Sequence, residues 1–275
     1  MRIGAVSYLN TKPLVYRLGS LAPQHELVFD LPSRLADDLA ADKLDVALIP
    51  SIEFFPQAEY SIVSDACIAC RGPVRSVKLV SRVPLKQIRR VGLDEGSRTS
   101  VALLRILLRK RYGIAPELVL FPIDSRAEDV DADALLVIGD RAMHAMGQAG
   151  SLPYELDLGD AWCRWAELPF VFAMWVAGKG SGFRVQGSEG ELVELAAVLS
   201  EARNLGVANL EEIAEKEHGA VGISYDECLV YLRDHLHFYL AERELAGLRL
   251  FYEQACELRL APRGRALPDV VGVNS

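Results

Sequence analysis

Two short stretches of this sequence concentrate groups that can hold an anion. "DEGSRTS" (94–100) sets Gly96, Ser97, Arg98, Thr99 and Ser100 directly before the apolar-periodic run "VALLRILLRKR". A helix starting there leaves about four backbone N–H groups unpaired and carries roughly half a positive charge at that end. Hydroxyls and a guanidinium beside it suit a carboxylate or phosphate; plain capping by Ser97 or Thr99 is the competing reading. "SYLNTKP" (7–13) gathers Ser7, Tyr8, Asn10, Thr11 and Lys12. An ordinary turn uses two or three such groups. Thr11 can cap a helix begun near Pro13, a residue suited to a first helical turn. That leaves Tyr8 and Asn10, whose amide both donates and accepts, without a local task.

Three more segments put polar groups where strands end. "PSIEFF" (50–55) offers Ser51 and Glu53, "RGPVRS" (71–76) offers Arg71, Arg75 and Ser76, and "IGDRAM" (138–143) offers Asp140. Each has a bland alternative: a cap at Ser51, a Gly-Pro turn with solvated arginines, a cap at Asp140.

Several chemistries find no support. The dinucleotide pattern G-x-G-x-x-G, the Gly-Lys-Ser/Thr phosphate loop, H-E-x-x-H and the G-x-S-x-G elbow are all absent from the sequence. Five cysteines, two of them in "CIAC" (67–70), read as free thiols rather than a metal site, since no second pair or nearby histidine completes a set. "HLH" (235–237) has a spacing that does not bring two side chains together on a helix. No metal and no cofactor are expected.

The bulk properties agree with a soluble enzyme or binding protein. The chain has 275 residues, 51% hydrophobic and 25% charged, with a net charge of −8. Such acidity argues against a broad nucleic-acid face. The longest apolar stretch, "LPFVFAMWVA" (168–177), is well short of the roughly 20 residues a membrane span needs. The first residues lack a signal-peptide pattern, so a cytoplasmic location is expected. The oligomeric state, monomer or homodimer, stays open.

The elements that must carry these groups follow an α/β rhythm. "RIGAV" (2–6), "HELVFD" (25–30) and "DVALIP" (45–50) read as strands, with a helix over "PSRLADDLAADKL" (32–44) capped by Ser33. "YSIVSDACIACRGPVRSVKLVSR" (60–82) reads as a hairpin or long bent pair. "RVGLD", "ELVLFPID" and "ADALLVIGDRAM" restart the rhythm, and the chain beyond 189 is helical, without a strand-rich stretch. This order predicts a two-lobed α/β clamp. One lobe comprises residues 1–87 with 176–275, the other is an insert over 88–175, and ligands sit in the crevice at the strand ends.

The segments "VSYLNTKPLVY", "DVALIPSIEF", "RGPVRSVKLVS", "DEGSRTSVALLRILL", "LLVIGDRAM" and "DLGDAWCRWAELPFVFAMW", in that order, resemble the menaquinone-biosynthesis family of the futalosine route. Within it they are most similar to the chorismate dehydratase branch. The likeness spans nearly the whole chain, and "SYLNTKPL" is its most specific element. It separates this branch from the paralogous 1,4-dihydroxy-6-naphthoate synthase, which opens on a "PNDTF"-like motif.

The resemblance implies a type II periplasmic-binding-protein-like clamp with the ligand cleft between its lobes. It implies a cofactor-independent hydro-lyase that removes water from chorismate to give 3-[(1-carboxyvinyl)oxy]benzoate. On that reading Asn10 and Ser76 are catalytic. Tyr8, Ser51, Arg71, Ser97, Arg98, Thr99, Asp140 and Phe170 bind substrate, and Trp175 helps to wall the cleft. A cytoplasmic small-anion binding protein with the same clamp is the competing function, and the naphthoate synthase is the competing enzyme.

Overall fold

The computed structural model describes residues 1–144, 152–178 and 189–267. The first part of the chain runs β1 (Arg2–Val6), a 3-10 helix (Leu9–Val15), α1 (Leu18–Leu21), β2 (Glu26–Asp30), α2 (Pro32–Ala40), β3 (Val46–Pro50), a 3-10 turn (Ser51–Phe54) and β4 (Ser61–Cys70). Then follow β5 (Val77–Ser81), β6 (Arg90–Asp94), α3 (Arg98–Ile106), β7 (Glu117–Phe121), β8 (Ala134–Ile138), α4 (Gly139–His144), β9 (Tyr154–Asp157) and α5 (Leu158–Ala166). The chain returns through β10 (Phe170–Ala177), α6 (Glu189–Ala208), α7 (Leu210–Val221), α8 (Tyr225–Val230), β11 (His237–Tyr239) and α9 (Glu242–Glu257).

The strands form two sheets. The first has the order β11-β4-β10-β3-β1-β2, the second β7-β6-β8-β5-β9. β1 lies parallel to β2 and β3, as right-handed crossovers through the helices require, while β10 enters antiparallel between β3 and β4. β3 and β10 are buried along their whole length, which is why both read as unbroken apolar runs. The result is the two-lobed α/β clamp.

Four local expectations are corrected. β4 and β5 are not a hairpin: they lie in different sheets, and Arg71–Ser76 is the crossing between lobes. Ser33 does not cap α2. Leu31 is the N-cap and Pro32 opens the helix, because its missing N–H costs nothing there. The helix expected at Pro13 starts at Leu9, and the buried Thr11 hydroxyl donates to Asn10 Oδ1 (3.3 Å) instead of capping. The tail does contain a strand, the short β11, which covers the edge of β4.

The sheets divide the chain differently from an insert over 88–175. Val77–Ser81 pairs in the second sheet, and Phe170–Ala177 pairs in the first. The crossings between sheets are therefore 71–76 and 167–169. Residues 268–275, expected in the first lobe, lie outside the described residues. Helix α9 grips both crossings. Glu244, fully buried, accepts from Arg71 Nε at 2.8 Å. Gly247 faces the Pro169 carbonyl so closely that a Cβ would stand 2.1 Å from its oxygen.

Candidate functional site

A cavity opens between the lobes where the strands of both sheets end. It encloses about 490 Å³ of unfilled space, its mouth included. Tyr8 and Asn10 line it from the first lobe, and Ser76, Ser97 and Ser100 line it from the second. Val6, Ile68, Val74, Ile138 and Phe172 supply apolar walls. Among the described residues, none that lines the cavity is charged. An anion held here must rest on hydroxyls, an amide and backbone N–H groups.

Ser76 is set in place by a carboxylate outside the cavity. Asp157 accepts from Val74 N–H (3.0 Å), Arg75 N–H (2.7 Å) and Asp160 N–H (3.0 Å), so one side chain caps α5 and shapes the crossing. Arg75 takes a left-handed conformation (φ 62°), which turns the chain and sends Ser76 inward. The Ser76 carbonyl then accepts from Gly139 N–H at 2.8 Å, tying β5 to the start of α4.

Ser97 caps α3 and also lines the cavity. Its Oγ caps α3 by accepting from Ser100 N–H (3.2 Å) and donates to Ser100 Oγ (2.7 Å), while both hydroxyls face the cavity. The N-terminus of α3, the positive end of its helix dipole, therefore lies beside the cavity.

Tyr8 leaves the first lobe and crosses to the second. Its ring lies against Gly139 and its hydroxyl near Gly96. Burial, then the carboxylates of Asp94 and Asp140, push its phenol above the ordinary tyrosine value, so it remains a neutral donor. Asp140 joins the lobes from the other direction: its carboxylate accepts from Leu9 N–H (3.1 Å). Burial raises the Asp140 carboxyl. Asp140 is a tie between lobes rather than a lining group.

Four other expected binding residues do not line the cavity. Ser51 Oγ donates to Val171 O (2.8 Å), tying the turn after β3 to β10, and Thr99 Oγ1 accepts from Ile52 N–H (3.2 Å), tying α3 to the same turn. Arg98 points away, making an ion pair with Asp37 (2.8 Å) and another with Glu53 (3.1 Å). Arg71 pairs with Glu244. Two aromatics are core as well. Phe170 packs edge-on against Trp162 (5.2 Å) and Phe251 (4.9 Å), and Trp175 is fully buried.

The structure adds three residues. Phe172 takes the wall position in place of Phe170. It is the extra residue of a β-bulge, between Val171 paired with Ala69 and Ala173 paired with Ile68. Bulges re-aim side chains in this way beside sites. Ser100, within "DEGSRTS", joins the lining, and its i+3 spacing from Ser97 is the sequence signal for it. Tyr231, far along the tail, lies behind the cavity with its hydroxyl within reach of Ser76 and Asn10, yet no hydrogen bond of full geometry closes among them.

Comparison with known proteins agrees with this architecture. A family model described as menaquinone biosynthesis matches residues 1–257. A chorismate dehydratase of Thermus thermophilus is 30% identical, over 94% of this chain and 96% of that protein. A protein of Archaeoglobus fulgidus superposes with a TM-score of 0.72 at 18% identity, over 94% of this chain and 97% of that one. The periplasmic aliphatic sulphonate binding protein of Escherichia coli superposes with a TM-score of 0.63 at 17% identity, over 100% of this chain and 97% of that one. Those two structures bear on the fold alone, and the fold is periplasmic-binding-protein-like. No helix among the described residues is long and apolar enough to cross a membrane. With matched residues running from the first strand to the last helix, the chain belongs to the menaquinone-biosynthesis family.

Proposed function

We propose that this protein is a chorismate dehydratase, a hydro-lyase of the futalosine route that acts in the cytoplasm without a cofactor. The observation that carries the reading is the convergence of Asn10, Ser76, Ser97 and Ser100 from both lobes on one uncharged cavity. Chorismate is a dianion. One carboxylate rests on the Ser97 and Ser100 hydroxyls and the first turn of α3. The other meets Ser76. Asn10 hydrogen-bonds at the reacting ring and orients the departing C4 hydroxyl.

In this scheme the bond from ring C3 to hydrogen breaks as the C4–O bond breaks. The C–H electron pair becomes the new ring double bond, and hydroxide leaves and combines with the abstracted proton as water. The product is 3-[(1-carboxyvinyl)oxy]benzoate. The substrate's own enolpyruvyl carboxylate takes the proton. Aromatisation drives the step, so the protein's share is orientation and stabilisation of charge. An uncharged lining suits this division of labour, because a fixed cation beside the enolpyruvyl carboxylate would weaken it as a base.

Asn10→Ala tests the reading. We expect kcat on chorismate to fall about 10²- to 10³-fold, the scale of losing one positioned donor, with the melting midpoint kept. A variant with wild-type turnover would remove Asn10 from the mechanism. Wild-type protein that binds chorismate and leaves it unchanged would favour the binding-protein reading.

A further inference from the structure

The Tyr231 side chain is among the largest fully buried in the protein, at 1% exposure, and its hydroxyl is buried without a hydrogen-bond partner. A buried hydroxyl left in that state opposes folding, so its retention calls for a task. Its position follows from local structure. A capping box at Ser224 and Glu227 starts α8, and the helix then widens into a π turn, Tyr231–His235, that begins at this residue. Such wide turns re-aim one side chain and recur at functional sites. The Tyr231 hydroxyl has Ser76 and Asn10, two residues that line the cavity, as its polar neighbours.

The direction of hydrogen bonding is set by Thr11. Its hydroxyl donates to Asn10 Oδ1 (3.3 Å), which leaves Asn10 Nδ2 as the amide's outward group. Nδ2 can only donate, so the Tyr231 oxygen receives it. The Tyr231 proton is then free for the next acceptor within reach, Ser76 Oγ. Ser76 in turn keeps its own proton for the cavity.

Building on the proposed dehydratase reading, we infer that Tyr231 is a positioning residue. When substrate fills the cleft, it completes a directed chain, Asn10 N–H to Tyr231 O–H to Ser76 O–H to substrate. Each link polarises the next, which strengthens the final donor more than Ser76 alone could. The chain also couples the lobes, since Asn10 belongs to the first and Ser76 to the second. Tyr231 itself does not touch substrate.

Tyr231→Phe removes the oxygen and keeps the ring. We expect kcat on chorismate to fall about 10- to 100-fold, as for slight misplacement of a reacting partner, with KM within about threefold and the melting midpoint unchanged or higher. Because Tyr231 acts through Ser76, the double variant Ser76→Ala/Tyr231→Phe should be no slower than Ser76→Ala. Wild-type kcat in Tyr231→Phe, or a double variant whose loss is the product of the two single losses, overturns the inference. A readout independent of turnover is the Asn10 side-chain amide in ¹⁵N-edited NMR. With chorismate or its product bound, its Nδ2 protons should be protected from solvent exchange in the wild type and exchange faster in Tyr231→Phe. If wild-type protein does not convert chorismate, the proposed function fails. The chain is then judged by the NMR arm, where unchanged Asn10 exchange overturns it.

Discussion

The ring of Tyr8 lies against Gly139 across the cleft, so closely that a methyl group on Gly139 would stand 2.9 Å from the ring. Gly139 also has a positive φ of 61°, a conformation that L side chains rarely adopt. The first feature joins the two lobes, and the second is local to the start of α4. Gly139→Ala is expected to cost about 1–2 kcal/mol in backbone strain alone and to push Tyr8 off its seat. The checks are a denaturant melt and kcat/KM on chorismate, which should fall together. A variant with unchanged kcat/KM would show that the contact does not shape the site.

A second glycine carries the crossings. A Cβ at Gly247 would stand 2.1 Å from the Pro169 carbonyl oxygen, backbone against backbone, where neither side can yield cheaply. Gly247→Ala should lower stability by about 1–3 kcal/mol, the scale of an overpacked core. An unchanged denaturation midpoint would contradict the close seating of α9 on the crossing.

Thr99 separates a structural task from a binding one. Its hydroxyl accepts from the buried Ile52 N–H, and Thr99→Val leaves that donor unpaired. The expected cost is about 1–3 kcal/mol of stability, with KM for chorismate nearly unchanged. A large rise in KM without loss of stability would restore the substrate-binding role that the sequence suggested.

Asp94 and Asp140 give a signed pH prediction. Burial raises both carboxyls above 3.8, the ordinary aspartate value. A carboxyl that holds its proton more tightly folded than unfolded contributes stability at low pH and loses it as pH rises through the raised value. At neutral pH the Asp140 charge therefore opposes folding. Asp140→Asn keeps an acceptor for Leu9 N–H and removes that charge. Its melting midpoint should exceed the wild type's at neutral pH, with the gain fading below pH 3.8. A lower midpoint at neutral pH would mean the charged form is the favoured partner.

The sequence carried the plan of the clamp better than the facing of its side chains. β1, β3 and the tail helices follow from apolar period and from strand runs buried on both faces. The crossing at Arg71–Ser76 is not legible locally, because a Gly-Pro turn looks the same whether the next strand pairs back or enters another sheet. Asn10 and Tyr8 could be picked out because they exceed what their turn needs, whereas Ser76 and Ser97 had a turn or a cap as an equal alternative. Arg98 and Arg71 looked equally eligible. Their partners, Asp37 and Glu244, lie far away in sequence, and no local pattern reveals such pairing. Phe172 displaced Phe170 through a single bulge, which apolar alternation does not encode. Tyr231 reads as one more core position of a tail helix until the fold lays it beside Asn10 and Ser76.

The most direct measurement is the fate of chorismate itself. Purified protein, treated with a chelator and freed of nucleotides, is mixed with chorismate, and the products are followed by absorbance and mass spectrometry. The account predicts loss of the chorismate spectrum and formation of an aromatic product lighter by one water. Chorismate bound and unaltered after hours, at protein concentrations that saturate it, would contradict the account.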